Sequence, residues 1–200
     1  MFEIKKLERG CTFFFKNKEW KVTKVYNAEW GDGIESKKFK IKSDDGTIRF
    51  LTMETHKNEI TNLSFWQMVT ENYNAISGVQ ISGGIHNREA VFSKIISHKG
   101  VDYEFVGVAE GTYFYFFENE EVVSLDYSDE SDTRLLNIEQ GKIDTVIYTG
   151  FYVEENEITR IKKSRIANSA ALNYINKNFL FIVISVFIIM VFLITSYLNQ

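Results

Sequence analysis

The chain has 200 residues, 44% of them hydrophobic and 15% aromatic, with twelve Gly, one Cys and no Pro, a composition that excludes a disordered chain, a disulfide framework and a multi-cysteine zinc fold. The net charge of −4 divides unevenly: residues 1–157 carry 18 Lys and Arg against all 27 Asp and Glu, whereas residues 158–200 carry five basic residues and no acid. An acidic body lacks the clustered cations that release counterions from a phosphate backbone, so no nucleic acid is expected as a partner.

In chain order, Thr12 to Phe15, a turn over Lys16 to Glu19, and Trp20 to Tyr26 form a first expected hairpin, with Trp20, Val22 and Val25 facing inward. Lys37 to Lys42 and Thr47 to Met53 flank Ser43-Asp44-Asp45-Gly46, a second hairpin in which Phe39 and Ile41 face one side and Ile48, Phe50 and Leu51 answer them. The mixed pattern after Leu63 fits a short amphipathic helix or a strand entering a loop, the helix over Phe65 to Tyr73 being the leading expectation. Gly78, Gly83 and Gly84 mark a joint at 78–87 between two halves. Strands then resume at Ala90 to His98, Val101 to Ala109, Thr112 to Glu118, Glu121 to Tyr127, Leu135 to Glu139 and Asp144 to Val153, with Asn156 to Ile161 closing against them. Glu110-Gly111 is one of the turns expected between these strands. Lys38 to Glu54 and Tyr113 to Tyr127 share a strand-turn-strand pattern, a faint internal echo.

Residues Phe179 to Leu198 are twenty uncharged, mostly apolar residues. As a helix rising roughly 1.5 Å per residue, they match the hydrocarbon core of a bilayer, about 30 Å. Lipid forces backbone groups to satisfy one another, which overrides the low helix propensity of the many β-branched residues. Arg160, Lys162, Lys163, Arg165 and Lys177 lie before this span, so the positive-inside rule keeps the body in the cytoplasm. The expected topology is single-pass and tail-anchored, with the lipid bilayer as one partner. The stretch 160–177 is either a helix lying on anionic head groups or a solvated linker.

The expected fold class is mainly β, an antiparallel meander or a small barrel or sandwich, plus one C-terminal transmembrane helix. The expected divisions are a β-subdomain at 1–77, the joint at 78–87, a second β-subdomain at 88–160, a basic juxtamembrane linker at 161–178 and the span at 179–198.

Leu7-x-x-Gly10, the aromatic strand with Glu19-Trp20-Lys21-Val22, Trp30, the KFKIKSDDGTIRFLTME hairpin and Phe65-Trp66 together resemble the bacterial family known as domain of unknown function 4178. Asp102 to Gly107, Leu125-Asp126-Tyr127, Leu136 to Glu139 and Tyr148-Thr149-Gly150 are similar to its second half, so the resemblance covers roughly residues 5–160. It implies an all-β cytoplasmic module of unknown biochemical role and brings no catalytic signature.

The chain has no GxGxxG, Walker A, HExxH, GxSxG or CxxC spacing, and no cofactor, metal or catalytic residue is assigned from its motifs. Cys11 reads as a buried inert thiol, the competing reading being a nucleophile paired with His56, His86 or His98. Asp126, Asp129, Glu130 and Asp132 gather hard oxygen ligands without the spacing of an EF-hand, and read as a solvated loop. The runs Phe13 to Phe15 and Tyr113 to Phe117 place aromatic side chains on both faces of their strands, which calls for a second covering layer or a partner. With an anchor and no catalytic constellation, the leading expectation is a non-enzymatic adaptor docking a protein partner at the bacterial inner membrane. The alternative is a small-ligand-binding barrel, or an enzyme, with a dispersed carboxylate and aromatic site.

Overall fold

The computed structural model describes residues 4–69, 93–114, 119–142 and 144–163. They form eleven antiparallel strands: β1 (Thr12–Phe15), β2 (Lys18–Trp30), β3 (Ile34–Ser43), β4 (Ile48–His56), β5 (Glu59–Met68), β6 (Ile95–His98), β7 (Val101–Phe114), β8 (Asn119–Ser128), β9 (Leu135–Gln140), β10 (Thr145–Tyr152) and β11 (Thr159–Lys162). The strand order is β11-β1-β2-β3-β4-β5-β10-β9-β8-β7-β6, and a further ladder joins β2 to β7. That ladder closes β2, β3, β4, β5, β10, β9, β8 and β7 into a ring, which removes the exposed sheet edges these strands would otherwise carry.

The ring is built twice over. β1–β5 and β6–β10 repeat one plan, a tight hairpin followed by three further antiparallel strands. The hairpin turns Lys16-Asn17 and Lys99-Gly100 both hold positive φ. Two-residue turns of that hand follow the right-handed twist of their arms, and Asn and Gly tolerate it best. A bulge then falls at the same distance from each turn, between Val22 and Lys24 in β2 and between Phe105 and Gly107 in β7. Where β2 meets β7, Glu29 stands opposite Thr112, with Ala28–Tyr113 on one side and Trp30–Gly111 on the other. Where β5 meets β10, Gln67 stands opposite Thr149, with Trp66–Gly150 and Met68–Tyr148 as neighbours. Both junctions are therefore locally two-fold in register. The echo between Lys38–Glu54 and Tyr113–Tyr127 is one strand out of step with this repeat.

At each junction an indole lies across a glycine. A Cβ at Gly111 would fall onto the Trp30 ring and one at Gly150 onto the Trp66 ring. Each indole N–H is satisfied locally, Trp30 Nε1 donating to Ser36 Oγ at 2.9 Å and Trp66 Nε1 to Ser64 Oγ at 2.7 Å.

Alternation then sorts the side chains. In the first half Phe13, Phe15, Trp20, Phe39, Ile41, Leu51, Met53, Leu63 and Phe65 bury one face together with Ile4, Leu7, Val153 and Ile158. Its centre is aromatic, with Phe15 and Phe65 ring centroids 4.9 Å apart and Trp20 edge-on to Phe65 at 5.4 Å. In the second half Ile96, Tyr103, Val123, Leu125, Tyr127, Leu136, Ile138 and Ile147 do the same. Side chains of this size contribute roughly 1.5–3 kcal/mol each when fully buried. The opposite faces of the two halves, carrying Lys38, Thr52 and Ser64 on one and Ser124, Asn137 and Glu139 on the other, point into the ring and meet in a polar seam.

The mainly β, antiparallel expectation holds, and several details change. Leu51 stands opposite Phe39 and shares its core face, whereas Phe50 stands opposite Lys40 and Ile48 opposite Lys42 on the other face, because side chains alternate along each strand. The helix over Phe65 to Tyr73 is overturned for Phe65 to Met68, which belong to β5, because pairing with β4 on one side and β10 on the other imposes a two-residue alternation. Val69 continues that ladder by donating to the Ile147 carbonyl, and 70–73 lie outside the described residues. Glu110-Gly111 is not a turn but the interior of β7, fixed there by pairing with both β8 and β2. Of the stretch 160–177, Arg160, Ile161 and Lys162 are strand and not helix, since β11 pairs with β1. The joint at 78–87, residues 164–178 including Arg165 and Lys177, and the span from Phe179 to Leu198 lie outside the described residues. No helix among the described residues is long and apolar enough to cross a membrane.

Candidate functional site: an ion pair and a cleft in the polar seam

β3 offers Lys38 to the seam because its neighbours Phe39 and Lys37 must take the opposite face of the pleat. β9 from the other half brings Glu139, and the two form a salt bridge with side chains only 7% and 13% exposed. The Tyr113 hydroxyl from β7 donates to the same Glu139 Oε1 at 2.9 Å. The ammonium also lies over the rings of Tyr148, 4.3 Å from its centroid, and Tyr113, at 5.5 Å. One cation is thus held by a carboxylate and two aromatic faces, contacts that offset part of the cost of its removal from water. Lys38 is the only buried lysine among the described residues.

A second layer of acids lies behind this pair. Asp126 accepts from Asn137 Nδ2 at 2.7 Å, and the same amide nitrogen donates to Ser124 Oγ at 2.6 Å. Burial pushes the Asp126 carboxyl up, the charge of Glu139 adds to that, and Asn137, Ser124 and Lys38 oppose it. Burial likewise raises the Glu54 carboxyl, with Asn62 opposing and Asp126 adding. For Lys38 burial lowers the affinity for its proton, outweighing the pull of Glu139 and Asp126. Thr52, opposite Lys38 in β4, has a buried hydroxyl with no partner among the described residues.

The seam opens as a cleft of about 300 Å³. Lys38, Glu139, Tyr113 and Tyr148 line it together with Tyr26, Phe50, Met68, Val122 and Val146, and Lys40, Glu120 and Asp144 bring further charge to it. Phe50 and Tyr148 meet edge to face at 5.4 Å, which holds the Tyr148 ring in place. Chemically this is an aromatic-walled pocket with an amine, a carboxylate and a phenol converging within it. A second feature of about 320 Å³, bounded by Phe14, Lys16, Glu157 and Arg160, lies at the β1–β11 edge.

The residues singled out from the sequence are dispersed. Cys11 is fully buried among the apolar side chains of the first half, while His98 is buried at the end of β6 and His56 ends β4; His86 lies outside the described residues. The acidic group splits: Asp126 enters the seam, whereas Asp129 closes its loop by accepting from the Thr133 and Arg134 amides at 2.8 and 3.0 Å. Glu130 and Asp132 are exposed. Among the described residues no group of three or more His, Cys, Asp and Glu is placed to hold a metal ion. Phe13 and Phe15 enter the first core and Phe14 lies under the Arg160 guanidinium, 5.0 Å from the ring centroid, so β11 supplies cover on the second face. Tyr113 turns into the seam; 115–117 lie outside the described residues. Arg160 and Lys162 are exposed on β11.

Sequence reasoning missed Lys38 and Glu139. Lys38 sits in a run of alternating lysines that reads as a solvated hairpin face, and its partner is 101 positions away.

No family model, curated protein or solved structure matches the chain. The resemblance to the family of domain of unknown function 4178 gains no support from these comparisons.

Proposed function

We propose that the chain is a membrane-anchored β-domain that binds a small ligand in the cleft between its two halves. The observation that carries this reading is the Lys38–Glu139 pair, buried yet lining a cleft of about 300 Å³ with aromatic walls. Ligand pockets of this kind are mostly apolar, with a few converging polar groups that fix orientation. Perturbed titratable groups inside a cleft favour this reading over docking through a shallow apolar patch. The span at Phe179 to Leu198, preceded by Arg160, Lys162, Lys163, Arg165 and Lys177, supports single-pass anchoring with the body in the cytoplasm.

The adaptor reading has one observation of its own. Ile95, Phe105, Val106 and Val108 on the β6–β7 hairpin are all exposed, Val106 by 64%, which is apolar surface suited to a protein partner at the membrane.

The test is native mass spectrometry of the full chain extracted gently from membranes, beside a Val146→Phe variant that narrows the cleft. The expected result is a small-molecule adduct on the wild type that the variant lacks. Recovery of the full chain in the soluble fraction would overturn the anchor, and adducts of equal occupancy on both proteins would overturn the cleft.

A further inference from the structure

The geometry points to Lys38 as a covalent attachment site: its amine forms an imine with a small aldehyde or ketone that has an apolar body and is bound in the cleft. This inference rests on the ligand-binding reading above and goes further, to the class of ligand and the bond it makes.

Three features of the site favour that chemistry. Lys38 lines the cleft, so a carbonyl carbon lodged against Tyr148 and Val146 has the amine beside it. Glu139 is in direct contact with the ammonium and takes its proton without rearrangement. Tyr113 donates to that same Glu139 oxygen at 2.9 Å, so the carboxylate is held in place as it gains and returns a proton. Desolvation also favours the neutral, nucleophilic form of the amine, the usual means of activating an imine-forming lysine.

The step balances without a further reactant. The Lys38 ammonium gives a proton to Glu139, and the freed nitrogen pair attacks the carbonyl carbon as the carbon–oxygen π pair moves onto oxygen. Proton transfers give a neutral carbinolamine. Glu139 then returns its proton to the hydroxyl, the carbon–oxygen bond breaks, water leaves, and the nitrogen pair forms the carbon–nitrogen double bond. The product iminium carries the single positive charge the ammonium had. Glu139 and the Tyr113 and Tyr148 rings, which hold the ammonium, hold the iminium in the same way.

The test treats the full chain at pH 7 with benzaldehyde and cyanoborohydride, which reduces the iminium to a stable benzylamine, and maps modified lysines by peptide mass spectrometry. Exposed Lys21, Lys42 and Lys57 serve as internal references. The expected result is benzylation of Lys38 at least about tenfold faster than of the references, suppressed in Val146→Phe, which keeps the lysine and fills the cleft. Binding of benzyl alcohol, which cannot form an imine, is followed in parallel by ligand-observed NMR. Lys38 modified no faster than the references, with benzyl alcohol still bound by the wild type and not by Val146→Phe, overturns the imine and leaves the cleft reading standing. Absence of both labelling and alcohol binding overturns both.

Discussion

Lys38 is an ammonium taken almost wholly out of water, 6% exposed, and its neighbours determine whether that is tolerated. Removing one member of a buried pair strands the other, at a cost of roughly 3–5 kcal/mol, whereas replacing both with apolar groups of similar size is often near neutral. Lys38→Met is therefore expected to lower stability by about that amount, and Lys38→Met with Glu139→Leu to recover most of it, as read from urea midpoints at constant m-value. The acids behind the pair set a pH dependence. Because the Asp126 and Glu54 carboxyls are raised, the folded state keeps protons that the unfolded chain has released. Their contribution is complete below the ordinary carboxylate range, about pH 4, and is lost as pH rises through the raised folded values. Urea midpoints are thus expected to fall from pH 5 to pH 7.5, with Asp126→Asn flattening the slope; a midpoint that rises over this interval contradicts the assignment. Asp45 and Asp129 act the other way, their carboxyls held low by hydrogen bonds, with Lys18 first for Asp45 and the Arg134 amide first for Asp129, but Asp45 is exposed and Asp129 only half-buried, so solvent screens both. The sequence shows Phe39 and Ile41 as an inward face and so implies that Lys38 points to water. What that local pattern lacks is the second half of the ring, whose polar face covers it.

At the scale of elements, the two junctions depend on residues without a side chain. Gly111 and Gly150 let Trp30 and Trp66 lie flat across the neighbouring strand, and an added methyl has to displace an indole or the backbone beneath it. Gly150→Ala is expected to cost about 1–3 kcal/mol, the usual penalty for overpacking, and Gly111→Ala a similar amount. A change below about 0.5 kcal/mol in the urea midpoint analysis of either variant would show that the indole is not fixed by the glycine. These elements differ in how readable they are. The Asp45-Gly46 hairpin is plain in the sequence because a glycine at positive φ separates two alternating arms. The β4–β5 hairpin is not, because its turn is Lys57-Asn58, two non-glycine residues at positive φ. The indole of Trp66 makes the following strand look helical in spacing. Gly111 reads as a turn residue, although its actual role is to make room for a ring that lies far away in sequence.

At the scale of the whole molecule, closure matters more than any single strand. β11 pairs with β1, and Ile158 and Ile161 pack on the first core, so the body extends through Lys162. A chain ending at Glu157 loses these contacts and is expected to unfold at lower urea than one ending at Lys163; equal midpoints would show that β11 adds nothing. The overall β class is legible because turns and alternation are local properties. Ring closure and the cleft are not, since both depend on the β2–β7 and β5–β10 ladders, whose partners lie dozens of residues apart. The central claim is that the seam between the halves holds a ligand. Ligand-observed NMR of a fragment library against the full chain and Val146→Phe tests it most directly. The account predicts a set of apolar, aromatic-bodied fragments that bind the wild type and lose binding in the variant, whereas an identical set of binders on both proteins, or none on the wild type, would contradict it.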